Sequence, residues 1–279
     1  MLDPFHDPFF QRALLAGLLI GFTNGFFSGF VVVRRTALSV SALSHTMLPG
    51  IALGILITGT LTQVNAFIGA LTAALFVGLG SVVVSRTSRV AQGTALAILY
   101  TTAFALGVAV LKYLHNYGDL EHWLFGDIRL VSSSDLWLAF GIGSIILLGS
   151  NIFFRPLLLT LFEPDVAAAQ GVPVRAMNYL LFGMLILALV TSLQAVGCVL
   201  SVGLLVAPAA TLSLLTNRTS LLFWGGGLVG ALGSVFALLL AYWTDIPAGP
   251  AIVIVLGTLF LLAFLLSPKY GLLPRIRTS

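Results

Sequence analysis

Apolar runs of roughly 17–25 residues, the length that spans a bilayer as a helix, recur along the chain at 13–33, 37–59, 66–84, 93–111, 136–154, 178–195, 197–215, 221–242 and 249–267. The predicted fold class is therefore all-α: a polytopic integral membrane helix bundle of eight to nine transmembrane helices, one domain over 1–279. The sixth and seventh runs are the least distinct. From Asn178 to Leu215 only Gln194, Gly197 and Pro208 interrupt the apolar stretch. It reads either as two short spans or as one span with a re-entrant piece.

Composition and charge sharpen this. The chain is 59% hydrophobic and 8% charged, where a soluble domain carries roughly a quarter charged residues, and its mean hydropathy is +1.10. The basic pI arises from arginines spread over many loops, so no nucleic-acid module is indicated. A single Cys198 excludes an intrachain disulfide and a zinc–cysteine cluster. The start, MLDPFHDPFFQR, is acidic and aromatic, and the first run is too long for a signal-peptide core, so no cleavable signal is expected. With nine spans and the N-terminus outside, ten of the 13 basic residues fall on the cytoplasmic side, and seven of the nine acids fall outside. That distribution obeys the positive-inside rule. It predicts a multi-pass plasma-membrane protein with a cytoplasmic C-terminus.

Four features within this frame carry candidate chemistry. Gly17, Gly21, Gly25 and Gly29 repeat every fourth residue in the first span, a ridge that lets another helix approach closely. The stretch RRTALSVSALSHTMLPG places His45 in the second span, four residues before Pro49. An ionisable side chain at membrane depth marks a functional site by default. Pro49 supplies no N–H to the His45 carbonyl, which points to a helix break there, with the hydroxyls of Ser41, Ser44 and Thr46 close by. The competing structural reading is a histidine hydrogen-bonded between helices. An external loop, Lys112–Asp135, holds His115, His122 and four acids at no metal-binding spacing. It reads as a solvated interfacial loop, or as a docking surface or outer gate. In the internal loop 155–175, Glu163-Pro164-Asp165 begins a short helix that continues through Ala168 and stops at Gly171 and Pro173. The chain has no GxxxxGK[ST], HExxH or GxSxG motif, so no ATP binding through a P-loop and no catalytic residues are expected.

Several blocks together resemble the permease subunits of zinc-, manganese- and iron-type ABC importers. RRTALSVSALSHTMLPG is similar to that family's RR-x-AL-x-GDALSHA-x-LPG, and LEHWLFGDIRLVSSSDL to its H-x-LFG-x-L-x-VS-x-xDL. LFEPDVAAAQGVPV is similar to FDP-x-xA-x-x-xG-x-x-V, and QAVGCVLSVGLLVAPAAT to QAVG-x-LLV-x-ALL-x-xPAAT. DIPAGP, at 245–250, resembles D-x-P-x-GP. The resemblance implies a type II ABC importer fold and a permease subunit that is not itself an enzyme. Its partners would be a separate ABC ATPase subunit, an extracytoplasmic solute-binding protein, and a second permease in a homodimer or heterodimer. It makes Glu163, Pro164, Asp165, Ala168 and Gly171 the helix that couples to the ATPase. His45 becomes the intramembrane ligand of a transported zinc, manganese or iron ion, with no permanently bound cofactor.

Two positions depart from the pattern. Val40 and Ser41 stand where the family has Gly-Asp, so Ser41 is at most a weak or water-mediated contact. Gln92-Gly93 stand where acids are common. One imidazole and a hydroxyl suit zinc better than manganese, which prefers carboxylates, and two His45 side chains meeting across a dimer would improve the site. Three further readings remain open: an importer of a metal chelate or other small solute, the non-chelating half of a heterodimeric metal permease, and a transporter that works without ATP.

Overall fold

The computed structural model describes residues 8–60, 62–111, 132–197 and 201–267. Among the described residues the chain forms helices and no strand. In order they are α1 (Pro8–Val33), α2 (Ala37–Thr58), α3 (Gln63–Thr87), α4 (Gln92–Leu111), α5 (Ser133–Ile152), α6 (Phe154–Phe162), α7 (Pro164–Ala169), α8 (Val174–Val196), α9 (Ser201–Leu215), α10 (Gly226–Thr244) and α11 (Ala248–Leu266). A π-helical turn, Leu221–Gly225, leads into α10. Eight of these segments are long and apolar enough to cross a membrane, and α9 is a shorter apolar helix of 15 residues. The all-α membrane bundle expected from the apolar runs is the fold observed. Most of the loop Lys112–Asp135, with both of its histidines, and Cys198 lie outside the described residues.

The ambiguous stretch 178–215 is two helices. Gly197 takes a φ of 85°, a value that favours glycine, and ends α8 just before α9 begins. At 1.5 Å per residue α9 is about 22 Å long, short of a hydrocarbon core about 30 Å thick. Its neighbours nevertheless require it to cross. Gly17, Gly21, Gly25 and Gly29 of α1 face, in that order, Leu238, Gly230, Gly226 and Phe223. The numbers run in opposite directions, so α1 and α10 are antiparallel and the end of α1 lies beside the start of α10. An even number of crossings must therefore separate them. Helices α2, α3, α4, α5 and α8 make five, and α9 makes the sixth. Without α9, α10 would run parallel to α1.

The α1–α10 contact is backbone on backbone. A Cβ at Gly21 would lie 2.6 Å from the Gly230 carbonyl oxygen, and one at Gly25 would strike the Gly226 carbonyl. Phe223 closes the ridge over Gly29, where a Cβ would lie 2.6 Å from its ring. Polar side chains then fasten α1 on its other sides. Asn24 Nδ2 donates to Ser192 Oγ of α8 at 2.8 Å, and Ser28 Oγ accepts from the Ala209 N–H of α9 at 3.0 Å. Both are buried, in a setting where interhelical hydrogen bonds add to close packing.

Burial follows from this arrangement. In α1, 72% of the apolar window is buried, against 17% in α4, so α1 is the central post and α4 a peripheral helix. One buried cluster joins the second half of α1 to α2, α3 and α8 through Phe27, Leu43, Met47 and Leu189. A second joins its first half to α9, α10 and α11 through Ile20, Leu204, Leu238 and Ile252.

Gly21→Leu and Gly25→Leu should each destabilise the bundle by about 1–3 kcal/mol or more, because overpacked backbone cannot rotate away. Gly183→Leu, where a Cβ meets nothing within 4 Å, is the matched control. Thermal unfolding in detergent reads the difference, and equal melting temperatures for all three variants would contradict the packing.

Candidate functional site and family

Helix α2 presents the His45 segment. It runs without interruption from Ala37 to Thr58, with Pro49 in its interior. The expected break at Pro49 is therefore corrected: one backbone hydrogen bond is missing, but the helix continues. Its neighbours explain why. Gly50 packs directly on the Gly69 carbonyl of α3, and Pro49 packs on Gly107 of α4, where a Cβ would lie 2.5 Å from the Pro49 Cα. Flanked on two sides at one level, the segment has no room to open. At the far end, Asn65 Nδ2 of α3 donates to Thr58 Oγ1 at 3.0 Å and holds the turn.

The polar groups near His45 separate into two kinds. Ser44 and Thr46 are fully buried and donate to the carbonyls of Ser41 and Leu43 on their own helix, at 2.8 and 2.7 Å. They are not available to a solute, which corrects the set of hydroxyls expected from the sequence. Ser41 lies one turn before His45 on the same helical face. It is half-buried, and its hydroxyl makes no hydrogen bond among the described residues. The His45 ring stacks on Tyr100 at 6.2 Å between centroids and meets Phe104 edge-on at 6.0 Å. No hydrogen bond among the described residues engages its nitrogens. This goes against the histidine hydrogen-bonded between helices and leaves a half-buried imidazole held by aromatic contact.

Tyr100 and Phe104 were not singled out from the sequence. They stand four residues apart in α4 and so share one face, but nothing in the chain says which helix that face meets. Among the described residues no three His, Cys, Asp or Glu side chains gather as a metal site. The described residues thus offer His45 and at most the Ser41 hydroxyl, fewer ligands than a divalent transition metal takes.

At the end of the bundle where α1 gives way to α2, the short helix α7 stands out from the surface. Pro164 occupies its first turn with Asp165. Gly171, at φ 78°, closes it: the Gly171 N–H donates to Ala168 O at 3.0 Å and the Val172 N–H to Ala167 O at 2.9 Å. This paired arrangement is a Schellman stop. Ala167 is buried, while Glu163, Pro164, Asp165, Ala168 and Gly171 are exposed. The segment is a small-residue knob that nothing among the described residues covers.

Comparison with known proteins places the chain. The model of the ABC 3 transport family matches residues 6–267. The chain belongs to the ABC 3 transport family. This permease is 40% identical over 268 residues to the manganese transport system membrane protein MntC of Halalkalibacterium halodurans, covering 96% of this chain and 90% of that protein. It is 35% identical to the manganese import system permease protein ScaB of Streptococcus gordonii, covering 98% and 96%. Its fold is similar to a solved chain of PsaBC from Streptococcus pneumoniae in complex with Fab, with a TM-score of 0.86, 34% identity, and coverage of 98% and 96%. The family resemblance drawn from the motifs is shown. The chain is a multi-pass transport subunit of an ABC transporter.

Gly107→Leu should push α4 away from Pro49 and uncover the imidazole. Site-resolved mapping of diethyl pyrocarbonate modification is expected to show faster reaction at His45 in this variant, and an unchanged rate would contradict the contact.

Proposed function

We propose that this chain is the permease of a manganese ABC importer, working as one half of a permease pair. Its ATPase subunit docks on α7, and a solute-binding protein delivers the ion from outside. The observation that carries the metal reading is the free imidazole of His45, held among aromatic rings in a membrane-spanning helix. The high identity to manganese permeases supports manganese over zinc and iron. Single-chain chemistry would favour zinc, because imidazole suits it and no carboxylate accompanies His45. The second permease resolves this conflict by adding donors, either a second His45 or a carboxylate at the position of Ser41.

The orientation follows from charge. Arg34, Arg35, Arg86, Arg89, Arg155, Arg175 and Arg218 lie in the turns and adjoining helix ends at one end of the bundle. The positive-inside rule makes that end cytoplasmic, together with α7. Alanines and a glycine on the α7 surface leave space for a groove in the ATPase, and Glu163 and Asp165 give the contact an acidic edge.

Uptake of labelled manganese into vesicles holding the complete transporter tests both sites. His45→Ala should lower uptake at least tenfold, and wild-type transport in that variant would remove His45 from the pathway. Supplying the ion already chelated separates a carrier of the bare ion from a carrier of a complex. Ser41→Asp is expected to tighten manganese retention. Ala168→Trp should abolish uptake and solute-stimulated ATP hydrolysis without altering the melting temperature. Transport that survived it would indicate a carrier that does not use α7.

A further inference from the structure

A second polar site lies apart from His45, at the end of the bundle where α1 turns into α2 and α3 into α4. There a cavity of about 130 Å³ opens between α1, α2, α4 and α8, several times the roughly 30 Å³ share of one water molecule. Its walls are apolar, from Phe27, Phe30, Leu96, Leu181 and Leu185, and Arg34 enters it.

Arg34 and Arg35 make an instructive pair. Arginines at the end of a spanning helix ordinarily run outward and keep their guanidinium in the headgroup layer. Arg35 is exposed and does so. Arg34 is turned inward, and it makes no ion pair or side-chain hydrogen bond among the described residues. Burial strips water from its guanidinium and lowers its pKa from the ordinary value, yet arginine stays charged. An arginine held this way is short of an anion.

The rest of the lining has the same polarity. Thr36 and Ser39 come from the start of α2, which has no side-chain cap, and Gln92 and Gly93 come from the first turn of α4. First-turn amides carry partial positive charge and favour anions. Among the described residues no carboxylate lines the cavity. A cation therefore finds nothing here, and a neutral apolar molecule would leave the guanidinium unanswered.

We propose that this cavity binds a phosphate group, with Arg34 as its counter-ion and Ser39 and Gln92 as hydrogen-bonding groups, and that the apolar walls fit it to the phosphate of a membrane phospholipid. Guanidinium and phosphate match as a bidentate pair. Phenylalanine and leucine walls accept the first carbons of an acyl chain, and the site stands at the level where a headgroup meets hydrocarbon. Lipid seated there would wedge between α4 and the α1–α8 pair, holding the least buried spanning helix in place. The inference depends on the bundle's placement in a membrane and not on which solute it carries, so its failure leaves the manganese reading untouched.

The test uses the intact transporter in detergent, stripped of lipid, and three probes: phosphatidylglycerol, diacylglycerol and inorganic phosphate. Phosphatidylglycerol should raise the melting temperature by about 2–4 °C and appear as a retained adduct in native mass spectrometry. Arg34→Gln should remove both effects, Arg34→Lys should restore part of them, and Arg35→Gln, which deletes the same charge one residue away, should keep them. Gly93→Leu covers the case in which Arg34→Gln fails to fold. Gly93 lines the cavity mouth and a Cβ there meets nothing within 4 Å, so a leucine is accepted without a clash, narrows the opening with Arg34 intact and should also weaken the effects. A shift with inorganic phosphate alone supports the phosphate site and assigns it to a soluble anion. An equal shift with diacylglycerol, no shift with either phosphate probe, or an undiminished shift in both Arg34→Gln and Gly93→Leu overturns the proposal.

Discussion

Everything in this bundle hangs on the direct backbone contact between α1 and α10. In hydrocarbon there is no hydrophobic drive to press one helix on another, so association depends on close packing and interhelical hydrogen bonds. Two glycine ridges in antiparallel register, Gly21 on Gly230 and Gly25 on Gly226, bring two helices nearer than any side chain would permit. With that pair set, Asn24 and Ser28 face outward from α1 at fixed heights and find Ser192 and Ala209. The central post then has neighbours along most of its surface, and the remaining helices are placed relative to it.

The same device recurs around the candidate site, with a different result. Gly50 meets Gly69, and Gly107 meets Pro49, so α2 is flanked at the level just past His45. A proline in a spanning helix is usually considered for the donor it lacks. Here its small, flat ring also matters, because it seats α4 closely enough for Tyr100 and Phe104 to reach the imidazole. The His45 environment is thus a product of helix spacing more than of polar ligands.

Much of the fold could be read from the chain. The apolar runs, the glycine ridge at 17–29 and the Pro164–Gly171 helix each depend on residues near one another in sequence, and each has a local physical cause. What stayed hidden depends on which helix meets which. That α2 continues through Pro49 is decided by Gly69 and Gly107, twenty and fifty-eight positions away in the numbering. The loss of Ser44 and Thr46 as solute contacts comes from a choice between a helix's own carbonyls and the space beside it, and composition does not reveal that choice. The cradle of Tyr100 and Phe104, and the inward turn of Arg34 beside an outward Arg35, likewise exist only after assembly. Whether the seventh apolar run crosses was open from length alone. The direction of α10 against α1 answers it.

Helix α4 gives this architecture an asymmetry. It forms one wall of the histidine environment and one wall of the Arg34 cavity, yet it is the least buried of the spanning helices. Displacing it sacrifices few packed atoms, whereas moving α1 would take apart both cores. Within the single chain, α4 is therefore the spanning helix whose displacement disturbs the fewest buried contacts. Because α4 touches the two sites at separate heights, a tilt of that helix as a rigid body would move one wall of each.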